Sequence, residues 1–267
     1  MKIGFLITAR LKSSRLKLKI LKSLNGHTVI ERIIQRAKEV KDCSDIVLCT
    51  SRINQDLPLV RLAKENNIYY YNGSSDDVLQ RLLDAAELFE MDYFVGMTAD
   101  NPLFSVHHAN LIINEIKSKN EIDYIYTSEM PVGVNIYAIK TKALKTVCSI
   151  KEEIDTEIWG YLINRPEIFN VVEIKADNEY RFENCRMTLD EIDDYNFFKE
   201  IYSMYPINKV IDVLDVFKIL RKNPELLDLN KNVIQRDLDN KIKIRISKFY
   251  EENKVKILKL KEQIYSV

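Results

Sequence analysis

The chain has 267 residues with 40 basic and 40 acidic side chains, so its formal net charge is zero. Apolar residues make up 46% of the sequence, which is enough for a hydrophobic core and excludes a wholly disordered chain. A general polyanion-binding protein would carry a basic excess. We therefore expect a globular protein of one large or two small domains that does not bind nucleic acid.

Glycine, cysteine and histidine usage excludes several kinds of site. The six glycines form neither a G-x-G-x-x-G nor a G-x-x-x-x-G-K-[ST] pattern, so two common nucleotide-binding loops are absent. The four cysteines contain no C-x-x-C pair and there are three histidines, so the spacing of a zinc site is missing. The apolar start is too short for a signal peptide, and no run approaches the roughly 18 apolar residues of a membrane helix. We expect a cytoplasmic protein without a membrane span.

Strand and helix signals alternate through the first 120 residues. Short apolar runs suited to buried strands are followed by amphipathic segments suited to helices. The predicted strands are Ile3–Thr8, Ile46–Thr50, Ile68–Tyr71 and Asp92–Thr98, and the predicted helices are His27–Lys41, Asp56–Asn66, Asp76–Glu90 and Ser105–Lys117. This order predicts an α/β fold, doubly wound, with a mostly parallel sheet.

The pattern is less regular after residue 120. Further strands are predicted at Tyr124–Thr127, Asn135–Ile139, Phe169–Ile174 and Arg186–Leu189, and further helices at Lys142–Ser149, Asp155–Asn164, Asp190–Met204 and Asn208–Arg221. Because no linker rich in Pro, Gly or Ser occurs, residues 1–236 are predicted to form one domain with a mixed α+β insertion at about 124–180. Residues 237–267 are predicted to form a C-terminal helical appendage that packs on the body or on a partner. A membrane-surface helix is the weaker alternative, because its apolar residues are unevenly spaced.

A basic loop follows the first predicted strand. Between Thr8 and Lys19 it carries five basic residues interleaved with hydroxyls and no carboxylate: Arg10, Lys12, Arg15, Lys17 and Lys19. Ligands of open α/β sheets bind outside the carboxyl ends of the strands. Guanidinium and ammonium groups at this edge favour triphosphate binding, although a solvated basic loop is the alternative.

Two further loops place acids at the same edge. Asp100 follows the fourth strand directly, and Asp190 ends the short strand predicted at Arg186–Leu189. Mg²⁺ takes one or two carboxylates together with substrate phosphates, so both acids are candidate metal ligands. The alternative for Asp100 is a turn or helix-cap residue. Asp193 and Asp194 are expected in the first turn of the next helix, where the dipole favours acids.

Five ordered motifs resemble the CTP-dependent sugar-activating cytidylyltransferases. That group contains the acylneuraminate and ketodeoxyoctonate enzymes, and the similarity is greatest to its spore-coat polysaccharide branch. The family's Q-A-R-x-x-S-x-R-L-P-x-K-x-L is matched by Ala9, Arg10, Ser13 or Ser14, Arg15, Leu16, Lys19 and Leu21. Its G-x-x-x-D-V-L-x-R is matched by Gly73 with Asp77–Arg81, and its T-G-D-x-P-L by Thr98–Leu103. Its R-x-T-x-D-x-x-x-D is matched by Arg186, Thr188, Asp190 and Asp194, and its N-P-E-L-L-x-x-N by Asn223–Asn230. The resemblance spans about residues 1–236 and implies a Rossmann-like nucleotidyltransferase fold.

The resemblance also implies a reaction and a set of site residues. An acceptor oxygen attacks the α-phosphorus of CTP and pyrophosphate leaves, with Mg²⁺ as the cofactor. The implied catalytic residues are Arg15, Lys19 and Asp100; the implied metal ligands are Asp100 and Asp190; the implied substrate-binding residues are Ala9, Arg10, Ser14, Gly73, Asp77, Arg81, Thr98, Tyr137 and Arg186. Asp77 and Arg81 are expected to order the base pocket, with an i, i+4 surface ion pair as the alternative. A homodimer is expected by analogy.

The sequence departs from the family at several positions. Thr8, Lys17 and Ala99 replace the usual Gln, Pro and Gly, and Tyr137 replaces an acid. The usual R-E-H segment reads differently at 155–159. The acceptor is therefore left open among a nonulosonic acid, a sugar phosphate and another phosphorylated molecule destined for a surface glycan. Tyr124, Tyr126, Tyr137 and Trp159 are candidates to line its pocket, although strand tyrosines more often lie in a core or an interface.

Two other functions are considered. A nucleotide-sugar-dependent glycosyltransferase would carry a D-x-D motif after a strand, and the segment at Asp100 lacks the second acid. A catalytically degenerate nucleotide-binding scaffold is compatible with the altered loop residues and the basic C-terminal stretch.

Overall fold

The computed structural model describes residues 1–119, 121–153, 156 and 158–266. Its strands are β1 (Ile3–Thr8), β2 (Ser23–Leu24), β3 (His27–Thr28), β4 (Ile46–Ser51), β5 (Tyr69–Gly73), β6 (Tyr93–Thr98), β7 (Tyr124–Ser128), β8 (Tyr137–Lys140) and β9 (Val171–Lys175). Its helices are α1 (Val29–Ala37), α2 (Leu57–Glu65), α3 (Val78–Leu88), α4 (Val106–Ser118), α5 (Thr141–Ile150), α6 (Gly160–Ile163), α7 (Ile192–Ser203), α8 (Val213–Lys222) and α9 (Asn240–Ser266).

Seven of these strands form one sheet in the order β5-β4-β1-β6-β8-β7-β9. All neighbouring pairs are parallel except those of β8, which runs antiparallel to both β6 and β7. Alternate residues of β1 lie in two separate apolar clusters, Phe5 and Ile7 in one and Leu6 in the other, so the core covers both faces of the sheet. The predicted doubly wound, mostly parallel α/β fold is confirmed.

Local sequence signals explain where the first helices begin. The side chain of Thr28 accepts the Glu31 amide while Glu31 bonds back to Thr28, so α1 begins at Val29 instead of His27. Asp77 and Ser105 cap α3 and α4 in the same way, by accepting backbone amides of the first turn. Because β1, β4, β5 and β6 run parallel, their carboxyl ends lie at one edge of the sheet, and the loops that follow them lie at that edge.

The region predicted as an insertion adds β7, β8 and β9 to the same sheet. The helix predicted over Asp155–Asn164 is described only at Gly160–Ile163, and Asp155 and Glu157 lie outside the described residues. The division of the chain at 1–236 and 237–267 stays a prediction.

Two predicted elements after residue 180 are wrong or shorter. Arg186–Leu189 does not form a strand, because its amides bond alternately to two different segments: Met187 N–H donates to Val132 and Leu189 N–H to Asp100. The helix predicted from Asn208 begins only at Val213. The buried guanidinium groups of Arg32 and Arg36 donate to the carbonyls of Ile207 and Ile211. These hydrogen bonds keep the chain between 207 and 211 in a non-helical conformation.

The C-terminal helix α9 packs on the body of the protein. Ile246, Tyr250 and Ile257 are buried, and the Tyr250 hydroxyl donates to the Leu162 carbonyl at 2.6 Å. Lys261 forms an ion pair with Asp123 at 2.5 Å. No helix within the described ranges is long and apolar enough to cross a membrane.

Candidate active site

A cavity of about 660 Å³ opens at the carboxyl ends of β1 and β6. Its walls are the loop after β1, the loop after β6 and part of the predicted insertion. The predicted site residues that line it are Ala9, Arg10, Ser14, Arg15, Lys19, Arg81, Thr98, Asp100, Tyr137 and Asp190. Within the described part of the chain, Gly73, Asp77 and Arg186 do not line it. The cavity is large enough for a nucleotide and a second small molecule.

Lys19 joins the two predicted metal ligands. Its ammonium donates to Asp100 Oδ2 at 2.7 Å and to Asp190 Oδ1 at 2.8 Å. Burial alone would lower the pKa of Lys19, but the two carboxylates outweigh it and the net pKa is raised. The ammonium is therefore charged and lies where two carboxylates converge. The basic loop and the acidic end of β6 face each other across the cavity.

Asp190 is held by three cations. Arg15 Nη2 lies 2.8 Å from its Oδ1 and Arg186 Nη2 lies 2.7 Å from its Oδ2, in addition to Lys19. Burial would raise the pKa of Asp190, but Lys19, Arg15 and Arg186 outweigh burial and the net pKa is lowered. Asp190 is therefore ionised, and both of its oxygens have fixed directions.

Arg186 lies behind Asp190 and does not touch the cavity. Besides Asp190, its guanidinium pairs with the fully buried Asp194, Nε to Oδ1 at 3.0 Å. Asp194 lies in the first turn of α7 as predicted, and also accepts from Asn230 at 3.1 Å. The geometry makes Arg186 a positioning residue for Asp190 and gives no support to direct substrate contact.

Asp100 is oriented by the end of β6. The Thr98 hydroxyl donates to Asp100 Oδ1 at 2.6 Å, and Asn101 Nδ2 donates to the Thr98 hydroxyl at 2.7 Å. Asp100 and Asp190 share one cation, so one oxygen of each carboxylate is directed to a common point, as two carboxylate ligands of a divalent cation would be. No group of three or more His, Cys, Asp or Glu in the described residues could hold a metal unaided. Its other ligands would come from phosphate oxygens or water.

Arg81 lines the cavity and, in the described chain, has two buried nitrogens without partners. Its side chain is fully buried, and its Nη1 donates to the Ser74 carbonyl. Nε and Nη2 have no hydrogen-bond partner among the described residues. Burial lowers the pKa of this guanidinium. A buried donor without a partner is costly, which points to a ligand that supplies acceptors.

Gly73 and Asp77 position Arg81 and α3. A Cβ on Gly73 would lie 2.8 Å from Arg81 Cγ, so only glycine leaves room for that side chain. Asp77 caps α3 through the Gln80 amide at 3.0 Å and forms an ion pair with Lys151. The alternative of an i, i+4 surface pair between Asp77 and Arg81 is wrong, because Arg81 is buried and Asp77 pairs elsewhere.

Arg10 lies deeper in the basic loop. Its side chain is 10% exposed, 3.9 Å from Asp56 and 3.6 Å from Asp76. The preceding Ala9 amide donates to the Cys49 carbonyl at 3.1 Å, which fixes the loop to β4. Ser14 is exposed at the cavity rim.

An aromatic group forms the wall on the side of β7 and β8. The Tyr137 ring lies over Gly96, where a Cβ would approach it to 2.3 Å, and its centroid is 4.8 Å from that of Trp159. Tyr124 and Tyr126 stack at 5.3 Å. The Tyr137 hydroxyl is buried without a partner in the described chain. These rings line the cavity and also belong to or border the apolar core.

Gln235 and Arg236 are among the cavity residues that the sequence did not predict. Both follow the last family motif, and nothing in their local sequence marks them. The contact that brings them in is long-range: Arg186 Nη1 donates to Gln235 Oε1. The three histidines are not among the cavity residues of the described chain.

Comparison with known proteins identifies the family. A family model described as Cytidylyltransferase matches residues 5–211. An uncharacterised protein of Methanocaldococcus jannaschii is 30% identical over 88% of this chain and 97% of its own length. The spore coat polysaccharide biosynthesis protein SpsF of Bacillus subtilis is 23% identical over 84% of this chain and 95% of its own length.

Two further comparisons agree. A 3-deoxy-manno-octulosonate cytidylyltransferase of Pelodictyon phaeoclathratiforme is 30% identical over 46% of this chain and 49% of its own length. The solved structure of a cytidylyltransferase from Leptospira borgpetersenii superposes with a TM-score of 0.79 at 27% identity, covering 89% of this chain and all of that one. The predicted resemblance is confirmed, and the chain belongs to the cytidylyltransferase family.

Proposed function

We propose that this protein transfers CMP from CTP to a sugar acid in surface glycan biosynthesis, with Mg²⁺ as cofactor and release of pyrophosphate. The proposal rests on the Lys19 ammonium, which lies within 2.8 Å of both Asp100 and Asp190. Arg15 and Arg81 line the same cavity. Phosphoryl-transfer catalysis consists chiefly of positioning and of charge stabilisation, and this set of groups supplies both.

Arg15 and Lys19 are assigned to the β- and γ-phosphates. The acceptor oxygen forms a bond to the α-phosphorus, the bond from that phosphorus to the bridging oxygen breaks, and the acceptor proton leaves to solvent. Negative charge then accumulates on the departing pyrophosphate. A guanidinium and an ammonium at this position stabilise that charge without proton transfer.

Asp100 and Asp190 are assigned to Mg²⁺. When bound, Mg²⁺ neutralises phosphate oxygens and orients them. Thr98 and Arg186 hold the two carboxylates in place through bonds of 2.6 and 2.7 Å. For the carboxylates to serve the metal, Lys19 moves from them to the triphosphate, a short shift for a long, flexible side chain.

The cytosine base is assigned to Arg81. Its unpaired Nε and Nη2 can donate to the base carbonyl and ring nitrogen, which satisfies two buried donors at once. Ala9 and Arg10 complete that side of the cavity. Gly73 and Asp77 act through Arg81 and α3.

A sugar acid is the favoured acceptor, because 3-deoxy-manno-octulosonate cytidylyltransferases are among the relatives and the cavity has an uncommitted wall at Tyr137 and Trp159. A sugar phosphate is the second candidate. We also propose a homodimer and a cytoplasmic location, and keep the domain division at residue 236.

The test is product analysis. Each nucleoside triphosphate is incubated with Mg²⁺ and, in turn, 3-deoxy-manno-octulosonate, N-acetylneuraminate or glucose 1-phosphate. Pyrophosphate release with CTP and one acceptor is the expected result. In a parallel incubation with a nucleoside-diphosphate sugar in place of the triphosphate, release of free nucleoside diphosphate would instead establish the glycosyltransferase. Thermal stabilisation by CTP without any turnover would establish the nucleotide-binding scaffold.

A further inference from the structure

The cationic side chains of the cavity fall into two groups. Those of the basic loop (Arg10, Lys12, Arg15 and Lys19) each lie within 4 Å of a carboxylate. Arg81, which is buried, and Arg236, which is exposed, also line the cavity and have no ion pair among the described residues. An unpaired cation in a ligand cavity is available for an anionic or polar ligand group.

Arg236 belongs to a segment, residues 230–236, that is hydrogen-bonded to the residues around Asp190. Asn230 is 3% exposed and its Nδ2 donates to Asp194 Oδ1 and to the Arg186 carbonyl, both at 3.1 Å. Gln235 Oε1 accepts from Arg186, and Gln235 Nε2 donates to the Arg236 carbonyl at 3.2 Å. The position of Arg236 is therefore coupled to the same guanidinium that orients Asp190.

Arg186, to which this segment bonds, is in contact with the predicted insertion. The backbone of Arg186 bridges Val132, and a Cβ on Gly133 would lie 2.0 Å from the Met187 carbonyl oxygen, so these two segments touch. The described cavity residues of the insertion are all uncharged, and they include Tyr124, Tyr126, Tyr137 and Trp159. Outside the basic loop and α3, Arg236 is the single cation among the described cavity residues.

We propose that Arg236 binds the anionic group of the acceptor, a carboxylate or a phosphate, against the aromatic wall. The inference rests on the proposed function and extends it to substrate recognition. Arg15 and Lys19 already serve the triphosphate side, and Arg81 serves the base. An acceptor that brings its own negative charge towards the nucleotide needs a separate cation, and among the described cavity residues Arg236 is the cation with neither an ion pair nor an assignment to the nucleotide. The segment that follows the last family motif thus contributes to specificity.

Isothermal titration tests this assignment without turnover. The wild type, Arg236→Met, Arg236→Lys and the control Arg61→Met are saturated with Mg²⁺ and α,β-methylene-CTP, which cannot release pyrophosphate. Arg61 is a suitable control because its side chain is 82% exposed and pairs with Glu65 on α2. The acceptor probes are 3-deoxy-manno-octulosonate and its methyl ester, and glucose 1-phosphate.

Arg236→Met is expected to weaken the tighter-binding anionic probe at least tenfold, Arg236→Lys to restore part of that loss, and Arg61→Met to bind like the wild type. The nucleotide Kd should stay within twofold throughout. Tight sugar-acid binding that is lost in the methyl ester identifies the anion as a carboxylate, whereas preference for glucose 1-phosphate identifies a phosphate.

Other results overturn the assignment. Equal probe affinity in the wild type and Arg236→Met removes Arg236 from the acceptor site, and an equally weakened nucleotide Kd moves it to the triphosphate. A wild type that binds the CTP analogue but no probe refutes the anion site and leaves nucleotide binding intact. Failure to bind the CTP analogue refutes the proposed function itself.

Discussion

Replacing Lys19 with methionine separates its two roles, one in the free protein and one in catalysis. In the free protein the ammonium lies 2.7 Å from Asp100 and 2.8 Å from Asp190, with its side chain 14% exposed. Breaking a fully buried ion pair costs about 3–5 kcal/mol. Here the group is partly exposed, and Asp190 keeps Arg15 and Arg186. We therefore expect a loss of about 1–2 kcal/mol, or about 2–8 °C in Tm.

The same substitution leaves two carboxylates facing each other without their shared cation. A divalent cation is then expected to bind without nucleotide and to restore stability, by about 1.4 kcal/mol at ten times its Kd. The wild type should show less stabilisation by Mn²⁺ alone, because the cation must displace the ammonium. Turnover of CTP should fall about 10²–10³-fold, the usual effect of removing one group that stabilises developing charge.

The assays are thermal unfolding with and without Mn²⁺, and pyrophosphate release with CTP. Lys17→Met is the matched control, because Lys17 lies in the same loop, is exposed, and is not among the described residues that line the cavity. The reasoning is refuted if Lys19→Met keeps the wild-type rate. It is also refuted if Mn²⁺ stabilises the wild type and the variant equally.

Three further variants test other parts of the site and the fold. Asp100→Asn should keep the wild-type Tm within about 3 °C and lose at least 10²-fold in Mg²⁺-dependent turnover, and a normal rate would remove Asp100 from the metal site. Arg81→Met should raise the Kd for CTP at least tenfold and leave the unliganded protein as stable as the wild type, because two donors of Arg81 are unpaired. CTP titration checks the Kd, and urea unfolding checks the stability. Burial lowers the pKa of His108 to about 4, whereas an unfolded histidine titrates near 6.5. The unfolded state therefore binds more protons below pH 6.5, and stability should fall by about 2 kcal/mol between pH 8 and pH 5. His108→Asn should lack this part of the loss in urea midpoints, and an unchanged pH slope would contradict the assignment.

The sequence allowed prediction of the sheet and of the two loops that meet in the cavity, because both depend on local signals. Hydrophobic periodicity located β1, β4 and β6, and charge at the ends of β1 and β6 located Lys19 and Asp100. The failed predictions concern long-range contacts. Arg186–Leu189 has the composition of a strand, but it bonds to two different segments instead of one neighbour.

Long-range contacts also decided which motif residues face the cavity. Arg81 has the spacing of a surface helix residue with Asp77, yet Gly73 on β5 opens a space that buries it. Arg186 matches a family motif, but its guanidinium pairs with Asp190 and Asp194 and is not among the described residues that line the cavity. Arg236 lies outside every motif, and its segment is brought into the site by the bonds of Asn230 and Gln235 to Arg186 and Asp194. Spacing alone could not have distinguished these three arginines.

The most direct test of the account is a crystal structure of the protein with Mn²⁺ and α,β-methylene-CTP. Anomalous scattering locates the metal independently of the protein coordinates. The account predicts Mn²⁺ bound by Asp100 and Asp190, with Lys19 moved onto the triphosphate. A triphosphate bound outside this cavity, with Lys19 still between the two carboxylates, would contradict it.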